Sequence, residues 1–227
     1  MSQIDWLENN NYNFPDVNKA LSEPDGLLAA SEIISPALVI KAYQQGIFPW
    51  YSDEQPVLWW SPNPRFVLYP EKFHISRSLK RTLNNKPFEI KTNTAFRKVM
   101  LACAAPRANM TNEENTGTWI TAAILNVYCQ LHEQGVAHSI ECWHEDKLVG
   151  GIYGLVIGDV FFGESMFSKM KDASKVAMHH ICTNIKPYLV DAQVHSQHLA
   201  SLGAEDIDRS NFTSIIQQRA NKFLNIS

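Results

Sequence analysis

The sequence predicts an α/β (α+β) protein built on a mixed sheet that is flanked by helices. Apolar runs of strand length alternate with segments of helical apolar spacing along the 227 residues, a pattern typical of sheets covered by helices. Apolar residues make up 45% and charged residues 19% of the chain, which is a globular composition. Pro62 and Pro64 favour extended backbone before each ring, so we expect a small N-terminal domain at 1–62 and a larger domain at 63–227.

The first predicted helix begins at Ser35-Pro36, with serine as N-cap and proline in the first helical position. Its apolar positions have helical spacing up to Tyr43, and Gly46 is placed to end it. A strand is expected at Val57–Trp60.

A short helix is predicted from Ile75 to Leu83, with Ile75, Leu79 and Leu83 on one face. Arg77 and Arg81 share another face because they are four residues apart. A longer helix is expected from a Thr118 cap to about residue 133, after an irregular segment at 104–117. The other predicted elements are strands at 66–69, 88–91, 136–143, 188–194 and 205–207, and helices at 94–103, 171–185, 196–202 and 211–223.

The glycine-rich run at 150–168 predicts two apolar strands joined at Gly158-Asp159. Glycine within a strand usually marks a bulge or the close approach of another backbone or a ligand. The run contains Glu164 among apolar neighbours, and a carboxylate in such a place is either held in an ion pair or functional. We therefore expect a site that receives a substrate at this hairpin.

Asp191 and Gln193 lie at the end of a predicted strand. Alternate residues of a strand point to the same face, so we expect the two side chains to project together. A carboxylate beside an amide can hold and orient an amine. The alternative is that both satisfy backbone groups at the strand end.

Several large aromatic side chains, among them Tyr43, Trp50 and Trp119, lie in predicted loops or near helix ends. They could stack on bases or line an apolar pocket, although each could equally belong to the core. The eight histidines show no metal-binding spacing and the four cysteines no CxxC pair, so we expect no metal. There is no P-loop and no strand–GxGxxG–helix motif, so no cofactor is expected.

The charge distribution is uneven. Residues 61–110 hold ten Lys or Arg and two Glu, although the whole chain has a net charge of −3. A basic segment in an acidic protein favours local docking of a polyanion, the alternative being a solvated basic face. No apolar run is long enough to span a bilayer and no signal peptide is recognisable, so a cytoplasmic protein without a membrane partner is expected.

The chain closely resembles bacterial leucyl/phenylalanyl-tRNA–protein transferases. The resemblance runs in collinear order from about residue 22 to 212, and its motifs are long and unusual in composition. They are Tyr43–Tyr51, Leu58–Arg65, His74–Arg81, Gly117–Ile120, Ala137–Glu141, Leu148–Ser168, Asp191–Gln193 and His198–Ala204.

The resemblance implies an acetyltransferase-like (GNAT-type) C-terminal domain, although the CoA-binding loop signature of acetyltransferases is absent. It implies transfer of Leu or Phe, and Met more weakly, from Leu-tRNA or Phe-tRNA to the N-terminal Arg or Lys of a protein. The product would carry an N-end rule degradation signal. No cofactor is implied, and a monomer is the default expectation.

The resemblance also implies roles for individual residues. Asp191 and Gln193 would hold and help activate the acceptor amine, and Glu164 would meet the acceptor's cationic end. The aminoacyl-adenosine and its side chain would lie among Tyr43, Trp50, Trp119, Ile152 and Met166, and the acceptor stem would be gripped by Arg77, Lys80 and Arg81. The family often has methionine where this chain has Ile152, which could shift the preference among Leu, Phe and Met.

Two other functions are possible. A CoA-dependent or peptidoglycan-type acyltransferase of the same fold is one, and the missing CoA loop counts against its CoA-dependent form. A non-catalytic RNA-binding module is the other, and Asp191, Gln193 and Glu164 count against it.

Overall fold

A computed structural model describes residues 4–8, 13–85, 87–105 and 119–226. Within these ranges the chain forms a four-stranded sheet in the order β1-β2-β4-β3 and a seven-stranded sheet in the order β11-β5-β10-β9-β8-β7-β6. The strands are β1 Asp5–Leu7, β2 Leu27–Ser31, β3 Phe48–Pro49, β4 Val57–Trp60, β5 Arg65–Leu68, β6 Glu89–Thr92, β7 Ala137–His144, β8 Lys147–Ile157, β9 Val160–Ser168, β10 Leu189–Gln193 and β11 Glu205–Ile207.

Four of the helices in the described ranges begin at serine or threonine caps. The hydroxyls of Ser35, Thr121 and Ser196 accept hydrogen bonds from the backbone three residues on, which satisfies amides that have no partner inside the helix. The helices are α1 Pro36–Tyr43, α2 Arg77–Asn85, α3 Phe96–Ala104, α4 Ala122–Glu133, α5 Ala173–His180, α6 Gln197–Ala200 and α7 Arg209–Arg219. A π-helical turn at Ile181–Ile185 follows α5.

Most predicted helix starts are shifted by one or two residues, and two of the differences change the role of a residue. The helix expected from Thr118 begins at Ala122 and is capped by Thr121, whereas Thr118 and the predicted irregular segment beyond residue 105 lie outside the described residues. Helix α2 begins at Arg77, so Ile75 precedes it and is 39% exposed instead of sharing the buried face of Leu79. Ser76 caps α2 instead, accepting a hydrogen bond from the Leu79 amide.

The smaller sheet contains a strand that the sequence analysis missed. Strand β2 pairs parallel with β1 and antiparallel with β4, and all five of its residues are buried. The indole nitrogen of buried Trp59 donates to the hydroxyl of Ser31 at 2.9 Å, so these two buried polar groups are paired. Short apolar strands that are covered on both faces lack the alternating pattern by which a strand is recognised.

The larger sheet is mixed. Its neighbouring strands run antiparallel except for β9 and β10, which are parallel. Helices pack on it, so the predicted class of a mixed sheet flanked by helices is confirmed. One hydrophobic cluster includes Tyr43 and Trp59 with Tyr153 and Phe162, so the core is continuous between the two sheets.

The predicted hairpin at 150–168 is confirmed as β8 and β9. Its glycines, however, mostly face other parts of the protein. A Cβ on Gly154 would lie 2.1 Å from the carbonyl oxygen of Phe162, and one on Gly150 would lie 2.4 Å from the Cβ of Ala173 in α5. Of the alternatives given for these glycines, the close approach of the chain itself holds at these two positions, and not that of a ligand.

Candidate active site

The parallel pairing of β9 with β10 brings the predicted polar residues together. Asp191 pairs in register with Phe162, so the end of β10 lies beside Glu164. The amide nitrogen of the Gln193 side chain donates to Oε1 of Glu164 at 2.9 Å. Residues that are 29 positions apart in sequence thus share one site.

Glu164 is held by neutral donors. The Tyr43 hydroxyl donates to its Oε1 at 2.6 Å and the Tyr128 hydroxyl to its Oε2 at 3.1 Å. The two tyrosine oxygens are themselves 2.9 Å apart. Helices α1 and α4 position them, since Tyr43 ends α1 and Tyr128 lies on the buried face of α4.

The surroundings of Glu164 favour its protonated form. Desolvation raises the pKa of Glu164 from 4.5 to about 7, and the charge of Asp191 acts in the same direction. Hydrogen bonds from Tyr43, Tyr128 and Gln193 work against this rise in pKa. The carboxyl group can therefore take up or release a proton near neutral pH.

Asp191 lies in a buried ion pair. Both of its oxygens accept from the Arg65 guanidinium, at 2.8 and 2.6 Å, and the exposed fractions of the Arg65 and Asp191 side chains are 1% and 0%. Arg65 also donates to the carbonyl of Gly46 at 3.2 Å and lies between the rings of Phe48 and Phe212.

The expectation that Asp191 and Gln193 project side by side from a regular strand is wrong. The register of β10 shifts between these residues, and Gln193 has φ +65°. The Gln193 backbone amide donates to Oδ1 of Asp191 at 3.0 Å. Asp191 therefore holds the strand end in place while the Gln193 side chain turns to Glu164, and the alternative in which Asp191 satisfies a backbone group also holds.

The predicted aromatic residues occupy different surroundings. Tyr43 has no exposed surface, so it lies behind Glu164 rather than on an open pocket wall. Trp50 is 46% exposed and packs against Trp60, with ring centroids 5.8 Å apart. Trp119 is half-buried against the main hydrophobic cluster. Trp50 and Trp119 are thus accessible, whereas Tyr43 is not.

Ile152 and Met166 are cross-strand neighbours in β8 and β9. Ile152 is buried and Met166 half-buried. The Ile152 side chain extends toward Gly163, where an added Cβ would lie 3.7 Å from its Cδ1. The two apolar side chains therefore lie close to the strand segment that carries Glu164.

Arg77, Lys80 and Arg81 are all exposed on α2, as a surface that contacts a polyanion requires. Two further residues of the predicted basic segment, Lys86 and Arg107, lie outside the described residues.

Sequence reasoning missed Arg65 and Tyr128. An arginine inside the apolar run Arg65–Leu68 was the available signal, because a buried guanidinium requires a counterion. Tyr128 had no signal beyond its place on an apolar stripe. Glu141, which ends the Ala137–Glu141 motif, is a structural group: its carboxylate accepts from the Ala95 amide at 2.7 Å at the start of α3 and from Ser139 and Trp143.

Among the described residues, no group of three or more His, Cys, Asp or Glu could hold a metal ion. None of the four cysteines, all of which lie in the described ranges, forms a disulfide bond. Within the same part of the chain, every helix is too short or too polar to cross a membrane.

Comparison with known proteins gives a consistent result. A family model described as Leucyl/phenylalanyl-tRNA protein transferase matches residues 67–217, and a model of the corresponding N-terminal domain matches residues 32–63. A Leucyl/phenylalanyl-tRNA--protein transferase from Aromatoleum aromaticum is 50% identical over 92% of this chain and 87% of its own. One from Psychromonas ingrahamii is 49% identical over 98% of this chain and 92% of its own.

The matches define an aminoacyltransferase, the predicted enzyme class. More narrowly, the chain belongs to the leucyl/phenylalanyl-tRNA–protein transferase family. The resemblance seen in the sequence motifs is thereby confirmed.

Proposed function

We propose that this protein transfers Leu or Phe, and Met more weakly, from aminoacyl-tRNA to the N-terminal Arg or Lys of acceptor proteins, creating an N-end rule degradation signal. Besides membership of the family, the observation that supports the proposal is the hydrogen bond that holds the carboxyl group of Glu164 next to the side-chain amide of Gln193. The reaction converts an ester to an amide and is downhill. It therefore needs positioning, an uncharged amine and stabilisation of the tetrahedral oxyanion.

On the acceptor side, Glu164 meets the cationic end of the incoming protein. The Gln193 amide nitrogen is committed to Glu164, so its amide oxygen is the atom that accepts a hydrogen bond from the amine. Asp191 contributes through position, because Arg65 and the Gln193 backbone occupy its oxygens. It fixes the bulge that turns Gln193 toward the site.

On the donor side, exposed Trp50 and half-buried Trp119 offer rings for the aminoacyl-adenosine. Ile152 and Met166 would form part of the pocket for the Leu or Phe side chain, which rejects charged side chains by the cost of their desolvation. Tyr43 supports this site from behind by holding Glu164. In this view a small N-terminal domain at 1–62 contributes Tyr43 and Trp50, and a catalytic domain at 63–227 the rest.

The tRNA would lie against α2. Arg77, Lys80 and Arg81 are exposed there, in a protein whose net charge is −3. Attraction is thus local to this face and positions the acceptor stem without reading its sequence. The protein would act as a cytoplasmic monomer.

The test mixes radiolabelled Leu-tRNA or Phe-tRNA with a protein that bears N-terminal Arg. We expect label on that protein, and none on a matched acceptor whose α-amine is acetylated. No transfer from either tRNA, together with robust transfer from acetyl-CoA, would overturn the proposal in favour of a CoA-dependent acyltransferase. Binding of tRNA without transfer would favour a non-catalytic RNA-binding module.

A further inference from the structure

Three hydroxyl or carboxyl groups form a closed ring at the site. Oε1 of Glu164 is 2.6 Å from the Tyr43 oxygen, that oxygen is 2.9 Å from the Tyr128 oxygen, and the Tyr128 oxygen is 3.1 Å from Oε2 of Glu164. The three groups come from β9, α1 and α4, so the ring exists only in the folded protein.

When Glu164 is ionised, the ring has three oxygen–oxygen contacts but only two protons to form hydrogen bonds across them. Each tyrosine carries one hydroxyl proton and an ionised carboxylate carries none, so two protons serve three oxygen contacts. When Glu164 is protonated, every contact has a proton. Glu164 then donates to Tyr128, Tyr128 to Tyr43, and Tyr43 back to Glu164. The geometry therefore accommodates one more proton without leaving a buried contact unpaired.

Asp191 cannot take that proton in this arrangement. Arg65 and the Gln193 backbone amide already donate to its two oxygens, and its side chain has no exposed surface. Glu164, in contrast, is only half-buried as a residue and lies next to the Gln193 side chain.

We propose that the ring formed by Glu164, Tyr43 and Tyr128 accepts the proton that the acceptor's α-ammonium must lose before it attacks. This inference rests on the proposed function. The α-ammonium gives one proton to Glu164, and the neutral amine attacks the ester carbonyl to form the C–N bond. The attacking nitrogen then loses a second proton to the 3′ oxygen as the C–O bond breaks. The first proton leaves Glu164 for solvent, which balances the conversion of an ester and an ammonium to an amide and an alcohol.

The groups that face Glu164 suit this role. Tyr43, Tyr128 and Gln193 donate to it, Asp191 from β10 contributes a negative charge whose counterion is Arg65 from β5, and Tyr153 from β8 lies nearby. Desolvation, with the charge of Asp191, raises the pKa of Glu164 to about 7 despite the three hydrogen bonds that act in the opposite direction, and this value is close to the ~7.7–8.0 of an α-amino group. A base of that strength can take the proton and release it again at neutral pH.

The test compares Glu164→Gln with the wild type in single-turnover transfer to an N-terminal Arg acceptor, at pH 7 and at pH 9 with reaction times of seconds. At pH 7 we expect the variant to be slower by about 100-fold or more, the contribution typical of a general base. At pH 9 the acceptor amine is already neutral, so the deficit should fall below about tenfold. A deficit of equal size at both pH values would overturn the proposal, because binding of the acceptor's side-chain cation or a structural role does not depend on the state of the amine.

Tyr128→Phe gives a second test that does not rely on Glu164→Gln folding well. It removes a hydrogen bond that lowers the pKa of Glu164, so the acid limb of the pH–rate profile should move to higher pH. Tyr153→Phe is the matched control, since its buried hydroxyl has no hydrogen-bond partner and is outside the ring. Equal profiles for the two variants would contradict the ring. No transfer by the wild type at any pH would instead refute the proposed function itself.

Discussion

Replacing Asp191 should lower both the free energy of unfolding of this protein and its activity. The change to examine is Asp191→Asn, with Arg65→Met as the reverse deletion. The two side chains are 1% and 0% exposed. Each substitution therefore leaves the other member of the ion pair buried without its counterion. A loss of activity in either variant thus reports on folding as well as on chemistry.

The structure sets the expected size of the loss. Arg65 makes two charged hydrogen bonds to Asp191, at 2.8 and 2.6 Å, and hydrogen bonds to charged groups are worth about 1.5–3 kcal/mol each. That agrees with the ~3–5 kcal/mol typical of breaking a buried ion pair from one side. Since whole domains are stable by only about 5–15 kcal/mol, either variant should be markedly less stable than the wild type.

The measurement is urea unfolding followed by circular dichroism, with the double variant Arg65→Met/Asp191→Leu completing a cycle. We expect each single variant to lose about 3–5 kcal/mol and the double variant to recover most of it, because no unpaired charge remains. The double variant should still transfer poorly, since nothing holds the Gln193 backbone amide. Single variants within about 1 kcal/mol of the wild type would refute the account of this pair.

Four further predictions follow from the same structure. The pKa of Glu164 in the folded protein, about 7, is above its unfolded value, so the contribution of this group to stability should be fully present below about pH 4.5 and be lost, by up to about 3 kcal/mol, as pH rises through 7. The difference between the unfolding free energies of the wild type and Glu164→Gln should change with pH in this way, and a difference that does not depend on pH would contradict the prediction. Gly154→Ala should destabilise the protein by more than about 2 kcal/mol, since the added Cβ would lie 2.1 Å from a backbone oxygen. Gly163→Ala should cost less than about 1 kcal/mol, because the nearest atom to its Cβ would be 3.5 Å away. Equal losses of stability would show that packing does not explain these glycines. The double substitution Arg77→Ala/Arg81→Ala should weaken tRNA binding and reduce by about 2 the magnitude of the slope of log K against log salt concentration. Lys147→Ala, at the exposed start of β8, serves as the control. Unchanged tRNA binding by the double variant would mean that α2 is only a solvated face. Ile152→Val should cost about 0.5–1.5 kcal/mol of stability and change the ratio of kcat/KM for Phe-tRNA and Leu-tRNA by several-fold; an unchanged ratio would remove Ile152 from the pocket.

Local patterns predicted most of the secondary structure. Serine at 35 and proline at 36 predicted the start of α1, and glycine at 158 predicted the turn of the central hairpin. These signals act over a few residues, so no tertiary information was needed to recognise them. Strand β2 was missed because a short strand that is buried on both faces carries no alternating pattern.

The candidate site was predictable only in part. Glu164, Asp191 and Gln193 were found because carboxylates and amides among apolar neighbours are costly unless they are paired or used. Their relationships were not found. The regular strand geometry assumed for Asp191 and Gln193 fails at a bulge with a positive φ, and neither feature can be read from alternating residues.

The sequence by itself determined the class of fold, the family and several residues of the candidate site, because these depend on residue types and on spacing within single segments. Tertiary structure alone decided which groups each of these residues contacts. It paired Asp191 with Arg65 from a strand 126 positions away and joined Glu164 to Tyr43 and Tyr128 from two helices. Hydrogen bonds and charges act over a few ångströms in space, so their partners depend on how β5, β9, β10, α1 and α4 pack together and not on the order in which the chain presents them.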